Sequence, residues 1–453
     1  MKLLYKVNDL PPSGVTLLLA LQHMLASIGG IVTVPLIVGG ALGLPADELV
    51  TLISASLFVS GVATIVQCMG VGPVGIRLPV VMGTSFAFPG ACIAIGTSGG
   101  VATIMGAALV GSFMVIIASF YMDFIRKLFP TLVSGVVVTL IGLTILPVAM
   151  GWIGDAPAGH PEFASLPKVF LSVISLMVVI GVSIFCKGAI AASAIAISLG
   201  VGYIVALMMG MVDMSHIAEA AWFSAPSPLM YGLTFSLPAI ISMTLVYVVV
   251  VAEATGDFMA LGSNCHVPVD GKDLRRGLLG DGLGCSFGAI FTALPVASFS
   301  QNVGIVGISG VASRYVVAVT GILLIAGGLF PKFAALAVTV PKPVLGGVGF
   351  VMFGMIAYAG IRMLVKTADS RRNAIIICVG LSSGMAVTVE PNLLQHFPEQ
   401  LKMLLHSGIT TGTLVTVALN LILPKSKKSK AAEDDAADVT AKSILTKPDK
   451  KMS

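Results

Sequence analysis

Long apolar runs, separated by short polar or glycine-rich stretches, repeat along almost the whole chain. A run of about eighteen or more apolar residues is long enough to cross a bilayer as a helix. The pattern therefore predicts an all-α polytopic membrane protein with about fourteen spans, an even number that places both termini on one side. The predicted spans are 14–40, 49–69, 76–97, 101–121, 130–152, 168–186, 189–212, 234–262, 275–294, 296–311, 314–336, 339–365, 373–390 and 406–424.

The distribution of charge orients these spans. The chain is 56% hydrophobic and only 10% charged, whereas a soluble domain carries about a quarter charged residues. With the amino terminus in the cytoplasm, most lysines and arginines fall in inner loops, as the positive-inside rule requires. The outer loops then hold Lys168, Lys332, Lys342 and Lys402. We expect a multi-pass protein of the cytoplasmic (inner) membrane, with residues 1–13 and a disordered tail, residues 425–453, in the cytoplasm.

Two sequence patterns occur twice at nearly the same separation. P-x-x-V-x-G-x-V at residues 130–137 recurs at 341–348, an offset of 341 − 130 = 211. L-P-V at 78–80 recurs at 294–296, an offset of 294 − 78 = 216. The matches predict two halves of about seven spans each, and an odd number per half forces the halves into opposite orientations, an architecture of secondary transporters.

Two apolar segments, 78–96 and 294–310, are interrupted by glycine, proline and polar residues. Each begins with L-P-V, and the Ser-Phe pair at 85–86 is matched by another at 298–299. Non-helical backbone survives in a bilayer only where other protein covers it or where it lines a cavity. Because such segments point to a transporter's binding site, we expect the two to face each other and hold the substrate.

Three acidic residues fall well inside predicted spans, away from their ends, where an ionisable residue suggests a function. Glu253 and Asp257 are one helical turn apart and share a helix face. Two carboxyl groups this close in a low-dielectric environment do not both ionise easily, so we expect the pair to exchange a proton near neutral pH. Asp281 lies on a glycine-rich helix that can approach its neighbours closely. A structural role, capping amides of broken helices, is the alternative for all three residues.

Further polar and aromatic side chains could recognise a ligand. Gln301 and Asn302 each offer an amide donor and a carbonyl acceptor, which suit a planar heterocycle with alternating N–H and C=O groups. We assign substrate contact to Gln301 and a structural tie to the broken backbone to Asn302. Phe86 and Phe299 could stack on the ring face. His23 lies in the first span. A role in helix packing and a role in organising the site are equally supported for it.

Other classes of function find little support in the sequence. The six cysteines show neither a pairing pattern nor metal-ligand spacing. No G-x-x-x-x-G-K-[ST] loop for ATP occurs, which favours ion-coupled secondary transport over a primary pump. An intramembrane enzyme is the alternative from another class, but there is no H-E-x-x-H motif and no cysteine matched to a histidine. We expect no enzyme, cofactor, metal or nucleic-acid partner.

The second interrupted segment carries Q-N-x-G-x-x-x-x-S-G at residues 301–310. This motif resembles the signature of the nucleobase–ascorbate transporter family, also called nucleobase:cation symporter-2. Ser309 replaces the family's threonine and keeps its hydroxyl group. The Q-H pair at 22–23, the E-A-x-G-D stretch at 253–257 and the D-G pair at 281–282 are similar to the family too. The resemblance covers the whole span region.

This resemblance implies a core domain, residues 14–121 and 234–336, and a gate domain, residues 130–212 and 339–424. Segments 3 and 10 would each begin as a short antiparallel strand, and gate domains would pair two copies into a homodimer. The family also implies proton symport of a nucleobase, with sodium as the alternative ion.

Residue roles follow from the resemblance together with the stacking argument. Glu253 would bind the base, and Gln301 would bind it from the opposite repeat. The substrate-binding candidates are Glu253, Gln301, Ser85, Phe86, Ala87 and Phe299. The candidates for coupling or structural roles are His23, Asp257, Asp281 and Asn302.

The resemblance also narrows the range of expected substrates. Asp257 and Gln301 stand where uracil-type members have His and Glu, which makes the chain similar to the bacterial xanthine and uric acid permeases. Ala87 stands where many xanthine carriers have Asn and some urate carriers have Thr, so the choice between the two purines stays open. We expect proton-coupled uptake of xanthine, uric acid or both. Uracil or another nucleobase, or an anion carried on the same fold, are the alternatives.

Overall fold

The structure, a computed structural model, describes most of the chain. The described residues are 3–121, 130–156, 160–187, 190–191, 193–365, 367, 370–398, 401–402, 405 and 407–424, without the side chains of 215, 216, 301 and 308. The predicted cytoplasmic tail, residues 425–453, therefore lies outside the described residues, as does the side chain of Gln301.

Helices make up nearly all the regular structure of the described residues. Their bounds are α1 Ser13–Ala41, α2 Ala46–Met69, α3 Pro89–Phe120, α4 Thr131–Gly154, α5 Leu166–Phe185, α6 Ala194–Met208, α7 Ser215–Glu219, α8 Leu237–Asn264, α9 Gly271–Ile290, α10 Ser300–Ser309, α11 Arg314–Leu329, α12 Pro331–Val338, α13 Lys342–Val365, α14 Arg371–Val389 and α15 Gly408–Ile422, with a 3₁₀ helix at Pro391–Leu394. Two short strands, β1 Met82–Thr84 and β2 Val296–Ser298, complete the list.

Eight helices in the described residues are long and apolar enough to cross a membrane, namely α1, α2, α3, α4, α5, α8, α13 and α14. The pair α11 and α12, bent by 79°, makes a ninth if it is taken as one span. Helices α6 and α15 have only 15 residues each, and α9 begins with several charged residues. The chain is thus a mostly helical, multi-pass membrane protein.

The predicted boundary between spans 76–97 and 101–121 coincides with a kink in the structure. Residues 82–84 form β1, and a single helix, α3, continues from Pro89 to Phe120. A kink at Gly100, with φ 70° and ψ −176°, separates its two parts. Only glycine adopts this conformation readily, because it lacks a Cβ atom. The helix therefore changes direction at Gly100.

Strands β1 and β2 pair antiparallel near the middle of the apolar core. Met82 lies opposite Ser298 and Thr84 opposite Val296, and every strand residue is buried. Backbone bonds extend the pairing at both ends, from Ser85 N–H to the Pro295 carbonyl and from Phe299 N–H to the Val81 carbonyl. Backbone groups without water must find partners within the protein, and the pairing supplies them.

A proline inside α1 helps to fix β1. Pro35 has no N–H to donate to the carbonyl of Ile31, four residues earlier. The Thr84 hydroxyl donates to this carbonyl instead, at 2.9 Å. On the other side, the Thr64 hydroxyl of α2 accepts from Met82 N–H at 2.9 Å. Strand β1 is therefore held between α1 and α2.

Small residues let the long helices approach closely, as is common in membrane bundles. A Cβ atom added to Gly61 of α2 would lie 2.5 Å from the Gly321 carbonyl oxygen of α11. Likewise, Gly142 of α4 contacts the backbone of Ala357 in α13. Helices α1, α2, α8 and α9 contact the two-stranded sheet. This packing brings residues of α1, α8 and α9 near the two places where helical structure is interrupted, the first break at β1 and the second break at β2.

Candidate functional site

Glu253 lies on α8, a helix of 28 residues. Its Oε2 atom is buried and has no hydrogen-bond partner among the described residues. Buried polar atoms are nearly always paired, so an unpaired one calls for an explanation. A carboxyl oxygen in this position is free to hold a proton or to accept a hydrogen bond from a ligand.

Asp257 follows one turn later on the same face of α8, but its carboxyl group is engaged. The hydroxyl groups of Ser298 and Ser300 donate to its Oδ2 atom at 3.1 and 3.0 Å. Ser298 ends β2 and Ser300 begins α10. Asp257 thus ties α8 to the second break, and the two acids of the pair differ in what they contact.

Asn302 joins α10 to two other parts of the molecule. Its amide nitrogen donates to the Pro79 carbonyl at 3.2 Å, and its Oδ1 atom lies 2.5 Å from Nδ1 of the buried His23 on α1. The Pro79 carbonyl can only accept, which fixes the amide orientation and makes His23 Nδ1 the donor. His23, the first interrupted segment and α10 are therefore connected through one side chain.

The two phenylalanines of the breaks are buried and meet at α1. A Cβ atom added to Gly30 would lie 3.0 Å from a ring carbon of Phe299 and 3.6 Å from a ring carbon of Phe86. The ring of Phe86 also packs edge-on against Phe353 of α13, with 5.7 Å between centroids. Glycine at position 30 leaves the space that both rings occupy.

Ser85 and Ala87 form the turn from β1 into α3. The Ser85 hydroxyl oxygen accepts from Ala87 N–H at 3.2 Å, and the Ser85 carbonyl accepts from Phe88 N–H at 3.3 Å. Ala87 is buried, with 1% of its surface exposed. Ser85 therefore uses its polar atoms largely to shape this turn.

Gln301 occupies the first turn of α10, between Ser300 and Asn302. Its side chain lies outside the described residues, so its predicted contact with substrate stays a prediction. The residue before it, Ser300, bonds to Asp257 through its side chain, and the residue after it, Asn302, bonds to His23.

Asp281 lies on α9, and its hydrogen bond goes to α2 rather than to the acid pair. Gln67 donates from Nε2 to Asp281 Oδ1 at 2.6 Å and to the Gly277 carbonyl at 2.8 Å. Its Oε1 atom accepts from Ile76 N–H at 3.0 Å. Asp281 Oδ2 is buried without a partner among the described residues. Gln67 was not among the predicted site residues, although it is the only amide side chain in the apolar run 49–69.

The structure thus groups the predicted residues into two sets. His23, Asp257 and Asn302 meet around β2 and the start of α10, with Glu253 one turn away, whereas Asp281 and Gln67 bridge α9 and α2. Among the described residues, no cluster of three or more His, Cys, Asp or Glu side chains could hold a metal ion. The arrangement offers hydrogen-bonding groups and acids rather than a nucleophile.

Relatives of this chain are transport proteins. The model of a permease family, Xan_ur_permease, matches residues 14–393. A nucleobase transporter of Paenibacillus larvae is 39% identical over 425 residues, which cover 93% of this chain and 98% of that protein. The uric acid permease PucK of Bacillus subtilis is 40% identical over 417 residues, 92% and 97% of the two chains. A xanthine permease of Bacillus subtilis is 37% identical over 425 residues, 93% and 97%.

Solved structures with a similar fold are membrane transporters too. SLC26A9 matches with a TM-score of 0.62 at 14% identity, over 89% of this chain and 64% of that longer chain. The transmembrane domain of the cyanobacterial bicarbonate transporter BicA matches with a TM-score of 0.58 at 14% identity, over 91% and 99%. At this identity the likeness shows the fold alone. By its sequence, the chain belongs to the permease family, matching the nucleobase–ascorbate transporters, and is a transporter rather than an enzyme.

Proposed function

We propose that this protein carries out proton-coupled uptake of a purine base, xanthine or uric acid or both, across the cytoplasmic membrane. The observation that carries the proposal is the buried Oε2 atom of Glu253, which has no partner among the described residues and lies one turn from the engaged carboxyl group of Asp257. A purine ring presents N–H groups that such an oxygen can accept. The names of the relatives support the substrate class.

The site would use both breaks. Glu253 accepts hydrogen bonds from ring N–H groups, and Gln301 pairs with the ring edge from the start of α10. Phe86 and Phe299, which meet at Gly30, stack on the ring together with the small Ala87. His23, Asp257, Asp281 and Asn302 hold the geometry or move the proton. Ser85 shapes the turn beside the ring.

The proposed architecture has about fourteen segments in two inverted halves. Two observations support it. The L-P-V segments lead into strands that pair antiparallel. The Cys68 thiol donates to the Val80 carbonyl at 3.4 Å, and the Cys285 thiol donates to the Val296 carbonyl at 2.9 Å. Val80 and Val296 are each the third residue of their L-P-V triplet, so the two halves repeat this contact.

The domain proposal assigns residues 14–121 and 234–336 to a core and residues 130–212 and 339–424 to a gate. Close packing between α4 and α13, one from each half of the gate, supports the division. Two gate domains would form a homodimer, with the termini of each copy in the cytoplasm. Protons are the proposed coupling ion, because the acid pair supplies a group that can exchange them.

An anion carrier on the same fold is the main alternative. Buried acids oppose an anionic cargo, because a carboxylate and an anion in a low-dielectric site repel each other. A neutral or cationic cavity would favour it, as would chloride currents that purines do not affect. Uracil or another nucleobase is the second alternative, which a competition assay separates.

The test is uptake of labelled xanthine and urate by cells that express the protein, with and without a protonophore. Uracil, hypoxanthine and guanine serve as competitors. We expect Glu253→Gln to lower uptake by about a hundredfold, the size of losing hydrogen bonds to a charged group. The matched control is Glu390→Gln, at an exposed acid beyond the end of α14.

Both variants are compared at equal membrane abundance and with the same elution profile after purification. Normal uptake by Glu253→Gln at equal abundance would remove Glu253 from the site. Uptake of purines that the protonophore leaves unchanged would remove proton coupling while leaving the substrate class in place.

A further inference from the structure

A cavity of about 340 Å³ opens beside the amino-terminal residues. Three arginines that are far apart in the sequence line it, namely Arg77, Arg276 and Arg314, together with Asn8 and Asp273. It lies at the ends of helices rather than among the residues proposed to bind the base. The loop charges predict that this face is cytoplasmic.

The positive charge of the cavity is not neutralised by ion pairs. The ion pairs of the described residues join Lys168 and Lys342 to acidic side chains, and none of them involves the three arginines. The Nε atom of Arg314 is buried and has no hydrogen-bond partner among the described residues. A buried, unpaired guanidinium N–H is unfavourable unless a ligand accepts from it.

The one carboxylate of the lining is already engaged. Asp273 Oδ2 accepts from Asp270 N–H at 3.2 Å, and the Asp270 side chain accepts in return from Asp273 N–H at 2.9 Å. This capping box begins α9. Asp273 therefore accepts a hydrogen bond at its own helix end, and the cavity keeps a net positive charge because three arginines line it against this one aspartate.

Backbone hydrogen bonds attach each of the three arginines to a neighbouring segment of the chain. Arg77 N–H donates to the Gln67 carbonyl at 2.8 Å, and Gly75 N–H donates to the Arg276 carbonyl at 2.9 Å. Arg314 N–H donates to the Val7 carbonyl at 3.1 Å. Arg77 itself has φ 62°, a left-handed conformation that is unfavourable for a residue with a Cβ atom. Strain of this kind concentrates at functional sites.

We propose that this cavity binds a phosphate-bearing anion, either the headgroup of an acidic phospholipid or a soluble phosphorylated compound. Guanidinium groups present planar donor pairs that match phosphate oxygens. The volume is at the lower end of the range for small-molecule sites, which suits a phosphate group with a small substituent. The unpartnered Arg314 Nε atom is one of the donors.

Such an anion would act on the end of α10. Leu4 N–H donates to the Gly310 carbonyl at 2.8 Å, and Ala312 N–H donates to the Tyr5 carbonyl at 2.9 Å. These bonds join the amino-terminal residues to the loop that leads from α10 to Arg314. An anion between the arginines would therefore stiffen the attachment of the helix that carries Asn302. Binding of this anion does not depend on which base is transported.

The test measures binding to the purified full-length protein, with no purine present. One arm measures radiolabelled inorganic pyrophosphate on protein in phosphatidylcholine nanodiscs. In the second arm the protein is placed in vesicles of equal parts phosphatidylcholine and phosphatidylglycerol and then purified from them. The quantity measured is the phosphatidylglycerol that stays bound to the protein. Arg276→Gln should weaken binding by about tenfold or more, because it removes one charge-assisted donor pair.

The matched control is Arg275→Gln, at the neighbouring residue. The guanidinium of Arg275 lies over the ring of Phe120, 4.1 Å from its centroid, and does not line the cavity. This variant should bind like the wild type. Arg77→Gly is a second cavity variant, which relieves the left-handed conformation and so keeps the fold. It should weaken binding to a similar degree.

Binding of pyrophosphate alone would identify a soluble ligand. Retention of phosphatidylglycerol alone would identify a lipid headgroup. Both together would show that the cavity recognises the phosphate group that the two ligands share. Any of the three, lost in Arg276→Gln and Arg77→Gly but kept in Arg275→Gln, supports the proposal. No binding in either arm, or an equal loss in Arg275→Gln, overturns it. Neither result bears on purine transport.

Discussion

The segments that contain β1 and β2 start from the same L-P-V triplet, and their strands pair with each other. In each, a cysteine thiol donates to the carbonyl of the third residue of the triplet. Around the first break, the polar side chains serve the backbone. The Thr84 hydroxyl fills the gap that Pro35 leaves in α1, and the Ser85 hydroxyl closes the turn into α3.

Around the second break, the polar side chains reach titratable groups instead. Ser298 and Ser300 donate to Asp257, and Asn302 contacts His23. A repeated backbone break can thus act as a frame in one half and present ionisable and hydrogen-bonding groups in the other. The difference predicts that loss of a polar side chain lowers stability in both breaks but lowers transport only in the second.

The largest difference is expected for Asn302→Ala. The change leaves His23 Nδ1 and the Pro79 carbonyl without their partner, which costs about 1–3 kcal/mol for each buried group. We expect the free energy of unfolding to fall by about 2–6 kcal/mol and purine uptake per folded molecule to fall by at least about thirtyfold. Uptake at equal abundance and unfolding in detergent measure the two effects.

The control in the first break is Thr84→Val, which leaves the Ile31 carbonyl without a partner. It should lower the free energy of unfolding by about 1–3 kcal/mol, with unchanged uptake per folded molecule. Equal losses of uptake from both variants would mean that the two breaks do not differ in role.

A methyl group added to β1 against the Phe299 ring should have the next largest effect. A Cβ atom at Gly83 would lie 2.5 Å from Cζ of Phe299 and 2.7 Å from Cγ1 of Ile31. Gly83→Ala must therefore move the Phe299 ring, and overpacking of this kind costs about 1–3 kcal/mol. We expect the KM for xanthine to rise by about tenfold, measured by concentration-dependent uptake.

Ala297→Gly is the matched control, because Ala297 lies opposite Gly83 in the sheet. It removes one methyl group, and we expect its KM to stay within about twofold of the wild type, with a loss of stability near 1 kcal/mol. An unchanged KM in Gly83→Ala would contradict the placement of Phe299 beside the base.

Loss of one serine hydroxyl at the second break should have a smaller effect. Ser300→Ala removes one of the two donors to Asp257, and we expect uptake to fall by about fivefold to tenfold. Ser286→Ala is the control, since that hydroxyl bonds to Ser112 between α9 and α3. Uptake by Ser300→Ala equal to that of Ser286→Ala would show that the tie to Asp257 does not matter for transport.

The smallest effects are expected for the repeated thiols. Cys68→Ala and Cys285→Ala each remove a weak S–H donor. We expect each to lower the free energy of unfolding by at most about 1 kcal/mol and to leave uptake within about twofold. A severe loss from only one of the two would contradict equivalent scaffolding in the two halves.

The sequence by itself determined the membrane class, the two interrupted segments and the family. Apolar length and helical period are local properties, so they predict long helices and place Glu253 one turn from Asp257. The motif at 301–310 carries the family resemblance, and the match over residues 14–393 confirms it. The exact number of segments, the domain division and the roles of the site residues stay predictions.

Only the tertiary structure decided which partners the polar groups have. His23 with Asn302 and Gln67 with Asp281 are separated by 279 and 214 residues. The same is true of Arg77, Arg276 and Arg314, which share a cavity although a loop and the amino-terminal parts of two different helices, α9 and α11, carry them. Pattern along the chain fixes which faces are buried, but a buried polar group is satisfied by whatever donor or acceptor the packing of distant helices brings to it.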